Sequence, residues 1–158
     1  MLFRSHIVFS LFLYLFYLDL SQASFASKVV FGIFLFLATI FVDIDSRKSK
    51  IGNHWFFRPF QWVVSHRGMV HSLLFAFFLS FLLFLVDQTA SLGFFVGYLS
   101  HLFLDFITRE GIFLFWPLYR KKISLFGVKT GRILEEIFFV LVLLVDIWLL
   151  FGRFITFV

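Results

Sequence analysis

The chain contains no cysteine. That excludes disulfides, thiolate metal sites and cysteine nucleophiles. Charge is scarce too. Asp, Glu, Lys and Arg make up 15% of the 158 residues, where a soluble domain carries about a quarter. There is no Gly-rich phosphate loop and no Ser-His-Asp arrangement of the kind serine hydrolases use. What fills the chain is apolar: 61% of residues are hydrophobic and the mean hydropathy is +1.01. These values point to a membrane protein before any motif is read. The 29 Phe and 4 Trp suit helices that face lipid. The formal charge of +5 would also suit nucleic acid, but its distribution along the chain favours a membrane, and no nucleic-acid partner is expected.

A membrane-crossing helix needs about 20 mostly apolar residues. Five runs come close: 7–20, 29–42, 69–86, 90–107 and 133–151. The first two reach that length only if their flanks join in. Residues 19–28 read as a turn, and Asp87-Gln88-Thr89 as a tight connection that makes the third and fourth helices an antiparallel hairpin. Asp146 is the one charge inside the fifth run, either an interhelical or snorkelling residue or a sign of shielding. Arg4, an apolar run and then "SQASFA" also resemble a signal peptide with a small-residue cleavage site. The bulky aromatics and His6 favour a retained helix instead. The expected fold is all-α: a polytopic membrane helical bundle of about five transmembrane helices with interfacial loop segments, forming a single domain over residues 1–158.

Five crossings place the N-terminus and the 43–68 and 108–132 connections on one side. Of the 14 Lys and Arg, only Lys28 and Arg153 fall on the other side. The excess of basic residues marks the first side as cytoplasmic. The 54–64 segment "HWFFRPFQWVV" interleaves aromatics with Arg58 and Pro59 and reads as interfacial, with His54 part of it. The 111–119 segment "GIFLFWPLY" is too short to cross. It is tolerated at membrane depth only with its backbone buried against protein.

The histidines and acidic residues form a pattern. His6 heads the first helix, and Asp43 and Asp45 end the second. His66 and His71 head the third, His101 and Asp105 end the fourth, and Glu135 and Glu136 head the fifth. All fall on the same membrane face, so residues far apart in sequence converge. His101 and Asp105 are four apart and share one helix face. Asp43 and Asp45 converge only where their helix has ended. Imidazole and carboxylate donors without thiolate suit Zn, Mn or Fe. Their number exceeds the needs of one ion, which suggests two divalent ions. Two-metal sites activate water and stabilise both oxygens in phosphoester cleavage. The expected ligands are His6, Asp43, Asp45, His66, His71, His101, Asp105 and Glu135. Glu135 has a second reading, as a charge at the start of its helix. Arg67, Asp45 and His71 are the candidate catalytic residues. Arg67 either neutralises a phosphoryl oxygen, pairs with an Asp ligand or anchors a lipid headgroup.

The stretches "VDIDS", "HRGMVHS", "GYLSHLFLDFITREGIFLFWPL" and "KTGRILEE" resemble the YdjM-like (YbcI-like) inner-membrane proteins. The resemblance runs from His6 to Glu136. It implies a membrane-bound metal-dependent hydrolase of the inner membrane, of a type in some cases under LexA control. It puts weight on His6, Asp43, Asp45, His66, Arg67, His71, Ser72, His101, Asp105, Thr108 and Gly111. Ser46 stands where many members have His, and Val70 where they have Thr.

The function expected from these readings is hydrolysis of a phosphoester, with a membrane lipid or another phosphorylated compound as the leading substrate class. Lys121, Lys122, Lys129 and Arg132 either attract such an anion or merely satisfy the sidedness rule. Two other classes compete. A transporter would place its site near the bilayer midplane, and a structural metal would be closed to water.

Overall fold

A computed structural model describes residues 1–47, 49, 51–64 and 67–157. His66, one of the expected ligands, lies outside the described residues, as does Lys48. The described chain is helical apart from turns and two isolated β-bridges. Its six α-helices are, in order, α1 (Phe3–Leu20), α2 (Phe25–Phe41), α3 (Arg58–Val63), α4 (Leu73–Phe84), α5 (Gln88–Ile107) and α6 (Ile133–Phe157). Among the described residues, α1, α5 and residues Phe25–Asp45 are long and apolar enough to cross a membrane. α6, with 25 residues, is the longest helix.

The flanks do extend the first two helices. Ser24 caps α2 by accepting from the Ser27 N–H at 3.2 Å, and the helix runs on through a 3-10 turn at Val42–Asp45. The third run differs from the expected 69–86. Met69–His71 form a 3-10 turn, and α4 begins only after Ser72, whose hydroxyl caps it at the Phe75 N–H. The remaining 12 residues rise about 18 Å, well short of a hydrocarbon core of about 30 Å. Asp87 caps α5 through the Ala90 N–H at 2.6 Å and turns the chain back on α4.

The central pair is α2 against α5. Gly93 and Gly97, one turn apart on α5, meet the α2 backbone. A Cβ at Gly97 would lie 2.1 Å from the Leu35 carbonyl oxygen, and one at Gly93 would lie 2.3 Å from that of Phe31. Small residues at this spacing let backbones approach closely inside a membrane. Three buried hydroxyls then join the helices. Ser10 lies 2.7 Å from Thr39 and 3.3 Å from Ser100. α6 packs alongside α1, and Arg153 ties their far ends through Asp19 at 2.8 Å.

The two long connections close over the other end. Trp55, Trp62 and Val63 point outward, while Gln61 anchors α3 by donating to the Ile44 and Gly52 carbonyls at 2.7 Å each. Leu73 N–H donates to the Leu114 carbonyl at 2.9 Å, and Ile112 is fully buried and bridged to Ile123. The 111–116 backbone is thus held against protein, the condition that a non-helical segment would have to meet at membrane depth.

Candidate metal centre

Five of the expected ligands come from four different elements and meet at one end of the bundle. His6 is on α1, Asp43 in the turn after α2, His71 in the turn before α4, and His101 and Asp105 on α5. Two groups of donors lie within ligand reach: His6, His101 and Asp105; and Asp43, His71 and His101. Asp105 Oδ1 is 3.5 Å from His6 Nε2, and its Oδ2 is 3.5 Å from His71 Nε2 and 3.8 Å from His101 Nε2. Asp43 Oδ1 is 3.7 Å from His101 Nε2. The His6 and His101 rings stack with centroids 3.9 Å apart.

The hydrogen bonds fix how these rings present themselves. His101 Nδ1 is 2.8 Å from the Thr39 carbonyl. A carbonyl only accepts, so Nδ1 carries the proton and Nε2 holds a lone pair. That Nε2 is buried with no hydrogen-bond partner and faces carboxylate oxygens. A lone pair turned toward anions inside protein is costly unless a cation sits between them. Donors about 2.0–2.2 Å from a tetrahedral ion are about 3.4 Å from one another, close to the 3.5–3.8 Å seen here. The donor set therefore fits a divalent ion.

Asp45 stands outside both groups. Its Oδ2 lies 3.1 Å from His71 Nδ1 and accepts from the Arg67 N–H at 3.1 Å. This carboxylate–imidazole contact turns His71 Nε2 inward, so in these contacts Asp45 positions a ligand. Glu135 is also elsewhere. Its Oε1 accepts from the Leu2 N–H at 2.5 Å and the Ser5 hydroxyl at 2.9 Å, and its Oε2 from the Gly131 N–H at 2.6 Å. Both oxygens are occupied in pinning the start of α1 to the start of α6. Of its two sequence readings, the structure matches the one at the helix start.

Arg67 touches the centre directly. Its guanidinium donates to Asp105 Oδ1 at 3.1 Å, Thr108 Oγ1 at 3.2 Å and Glu110 Oε2 at 3.3 Å. The Met1 amine is 2.5 Å from the same Asp105 oxygen. Arg67 has φ 61°, the left-handed region, which costs a non-glycine residue of order 1 kcal/mol or more. Asp45 and Asp105 hold it there from opposite ends of the residue. Glu110, outside the helices, is desolvated. The Thr130 hydroxyl bond and the Arg67 charge outweigh that effect and lower its pKa below the usual carboxylate value. A cleft of about 520 Å³ opens onto the centre, with Asp43, Asp105, Arg67, Arg4 and Thr130 among its walls.

The family model described as YdjM inner membrane protein matches residues 1–156. The chain belongs to that family. Inner membrane protein YdjM of Escherichia coli (strain K12) is 31% identical over 123 residues, covering 72% of this chain and 63% of that protein. The protein of the same name from Shigella flexneri gives the same values. Uncharacterized protein YvsG of Bacillus subtilis (strain 168) is 35% identical over 100 residues, covering 60% of this chain and 62% of that one. The chain thus spans just under two thirds of the length of these curated relatives. No solved structure matches it.

In this YdjM-family protein, the buried hydroxyls and the Thr39 carbonyl escaped the sequence reading. A signal for them exists. Thr39 lies four residues before Asp43, Ser10 four after His6, and Ser100 next to His101. Each continues a ligand's helix face one turn deeper, or borders it.

His71 gives the centre a pH dependence. Burial favours its neutral form, but hydrogen bonds to Asp105 and Asp45 outweigh burial and raise its pKa to about 9. With no ion bound, the imidazole keeps a proton below that pH, and an incoming ion must displace it. Apparent Zn affinity is therefore expected to rise with pH up to about 9 and to fall up to about tenfold for each unit below. Zn titrations of detergent-solubilised protein between pH 6 and 9 measure this. A flat profile would remove His71 from the ligand set.

Proposed function

We propose that this protein is a membrane-bound, metal-dependent hydrolase that cleaves a phosphoester. The observation that carries the reading is the buried donor set: three imidazoles and two carboxylates, with the His101 lone pair aimed at acidic oxygens and a cleft leading in from outside. His6, Asp43, His71, His101 and Asp105 hold the ion. A bound Zn, Mn or Fe ion supplies a Lewis acid and an activated water. His101 belongs to both donor groups, and its Nε2 serves one ion at a time. Thr39 and Asp45 orient the rings of His101 and His71. Arg67 faces the cleft beside Asp105 and stabilises charge that develops on a phosphoryl oxygen.

Metal analysis and a phosphoester panel test this reading together. The purified protein is expected to carry a divalent ion and to hydrolyse at least one lipid or soluble phosphoester. Arg67→Ala is expected to keep its ion and lose about 10²–10³-fold in turnover, the effect of removing one transition-state donor. A metal-loaded parent protein with no hydrolysis across the panel would instead make the ion structural.

The same reading sets five crossings, with α4 the short one, and the centre on the cytoplasmic face of the inner membrane. Support comes from the basic residues of the 43–68 and 108–132 connections. Reporter fusions after Asp45 and Lys122 are expected to report cytoplasm. An external signal at both would invert the orientation, and opposite signals would separate the ligands.

A further inference from the structure

A second cleft, of about 580 Å³, lies between residues 126 and 136. Phe126, Val128, Ile133 and Leu134 give it an apolar wall, and Lys129 and Arg132 add two cations. Phe126 and Ile133 are 72% and 76% exposed. The cleft forms where α6 starts, and so at the membrane face. Among the described residues, neither cation takes part in an ion pair. The one carboxylate of the wall, Glu136, is already neutralised by Arg4 of α1.

Arg4 also lines the cleft over the metal centre, as does Thr130. Their partners and neighbours Glu136, Lys129 and Gly131 line the second cleft. The Arg4–Glu136 ion pair and the 129–131 turn thus each have a member on the lining of either cleft. Both side chains of that ion pair are about half exposed (47% and 45%), so it is a surface pair of the kind that contributes little to stability.

We propose that the 126–136 cleft docks an anionic phospholipid. Its acyl chain lies against Phe126, Ile133 and Leu134, and its phosphate pairs with Lys129 and Arg132. A soluble anion has no use for the apolar wall, and a zwitterionic lipid gains little from two unpaired cations. Basic residues at a membrane face favour anionic over zwitterionic lipid. Passage of the phosphate past the Arg4–Glu136 pair to the metal centre rests on the hydrolase reading. The docking site itself does not.

The test uses the full chain in detergent, with phosphatidylglycerol and phosphatidylcholine as probes and native mass spectrometry as readout. Phosphatidylglycerol is expected to bind about tenfold or more tightly than phosphatidylcholine. Lys129→Ala with Arg132→Ala is expected to remove that preference. Arg120→Ala with Lys121→Ala takes the same charge from elsewhere on this face and is expected to leave it. A photoactivatable phosphatidylglycerol should label residues 126–136. His71→Ala is expected to bind the lipid normally, which keeps docking separate from chemistry. Equal binding of the two lipids, equal loss from both pairs of substitutions, or labelling confined to other segments would overturn the site. Normal docking with no phospholipid hydrolysis by the parent protein would overturn only the passage to the metal centre.

Discussion

Asp105→Asn is expected to strip the protein of its ion. Asp105 is the one residue whose two oxygens face all three described histidines of the centre, at 3.5–3.8 Å. Outer-shell partners of a metal typically cost 10–100-fold in affinity, so removing a carboxylate that touches the ion should cost more than about 100-fold. The amide keeps the shape of the side chain and its contact with Arg67, and so separates loss of metal from loss of fold. Alanine is the harsher change. It takes from the largely buried Arg67 its buried carboxylate partner and leaves only the more exposed Glu110, so some loss of stability, below the roughly 3–5 kcal/mol of a fully orphaned buried charge, is expected. Zn content by mass spectrometry, with elution volume in detergent as the control for folding, reads both effects. Full metal loading of Asp105→Asn would sink the metal assignment.

Gly97→Leu is expected to do the most damage of any single change remote from the ligands. A Cβ at 2.1 Å from the Leu35 carbonyl oxygen, with that residue's Cα and carbonyl carbon within 2.9 Å, has nowhere to move but outward. α2 and α5 must separate by more than an ångström. Ser10–Thr39 at 2.7 Å and His101–Thr39 at 2.8 Å cannot survive that shift. The destabilisation should reach roughly 3 kcal/mol or more, the upper end of overpacking costs, with metal lost as well. Gly152→Ala, where a Cβ meets nothing within 4 Å, is the matched control and is expected to be neutral. A Gly97→Leu protein that melts at the parent temperature and keeps its ion would mean that the close α2–α5 crossing is not what positions the centre.

Much of the site is legible in the sequence because ligands at helix ends leave a mark there. Histidines and aspartates interrupt apolar runs, and alternation of the runs puts them on one face. His6, Asp43, His71, His101 and Asp105 stand out that way. Asp45 and Glu135 are drawn in by the same logic, since residue type and placement do not distinguish an oxygen aimed at an ion from one aimed at a ring N–H or a backbone amide. Only the fold shows that Asp45 faces His71 Nδ1 and that Glu135 takes the Leu2 and Gly131 amides. The third run reads as one helix because Met69 and Val70 are as apolar as the residues of α4. Hydropathy does not register a 3-10 turn and a Ser72 cap inside such a run. Gly93 and Gly97 are visible as a spaced pair, but which neighbour they admit is a tertiary fact.

The turn before α4 sets where the centre lies. Tyr98 donates its hydroxyl to the Val70 carbonyl, which ties the turn bearing His71 to α5. The α5 ligands His101 and Asp105 stand six and two residues before the end of that helix at Ile107, or about 9 and 3 Å along its axis. The centre is therefore close to the end of the bundle, on the inner wall of the cleft that Arg67 and Asp105 line. An anion that enters the cleft leaves bulk water behind, and its attraction to Arg67 grows as the dielectric falls. Selection between anions then takes place on the way in, by what each must shed to enter, as well as at the ion itself.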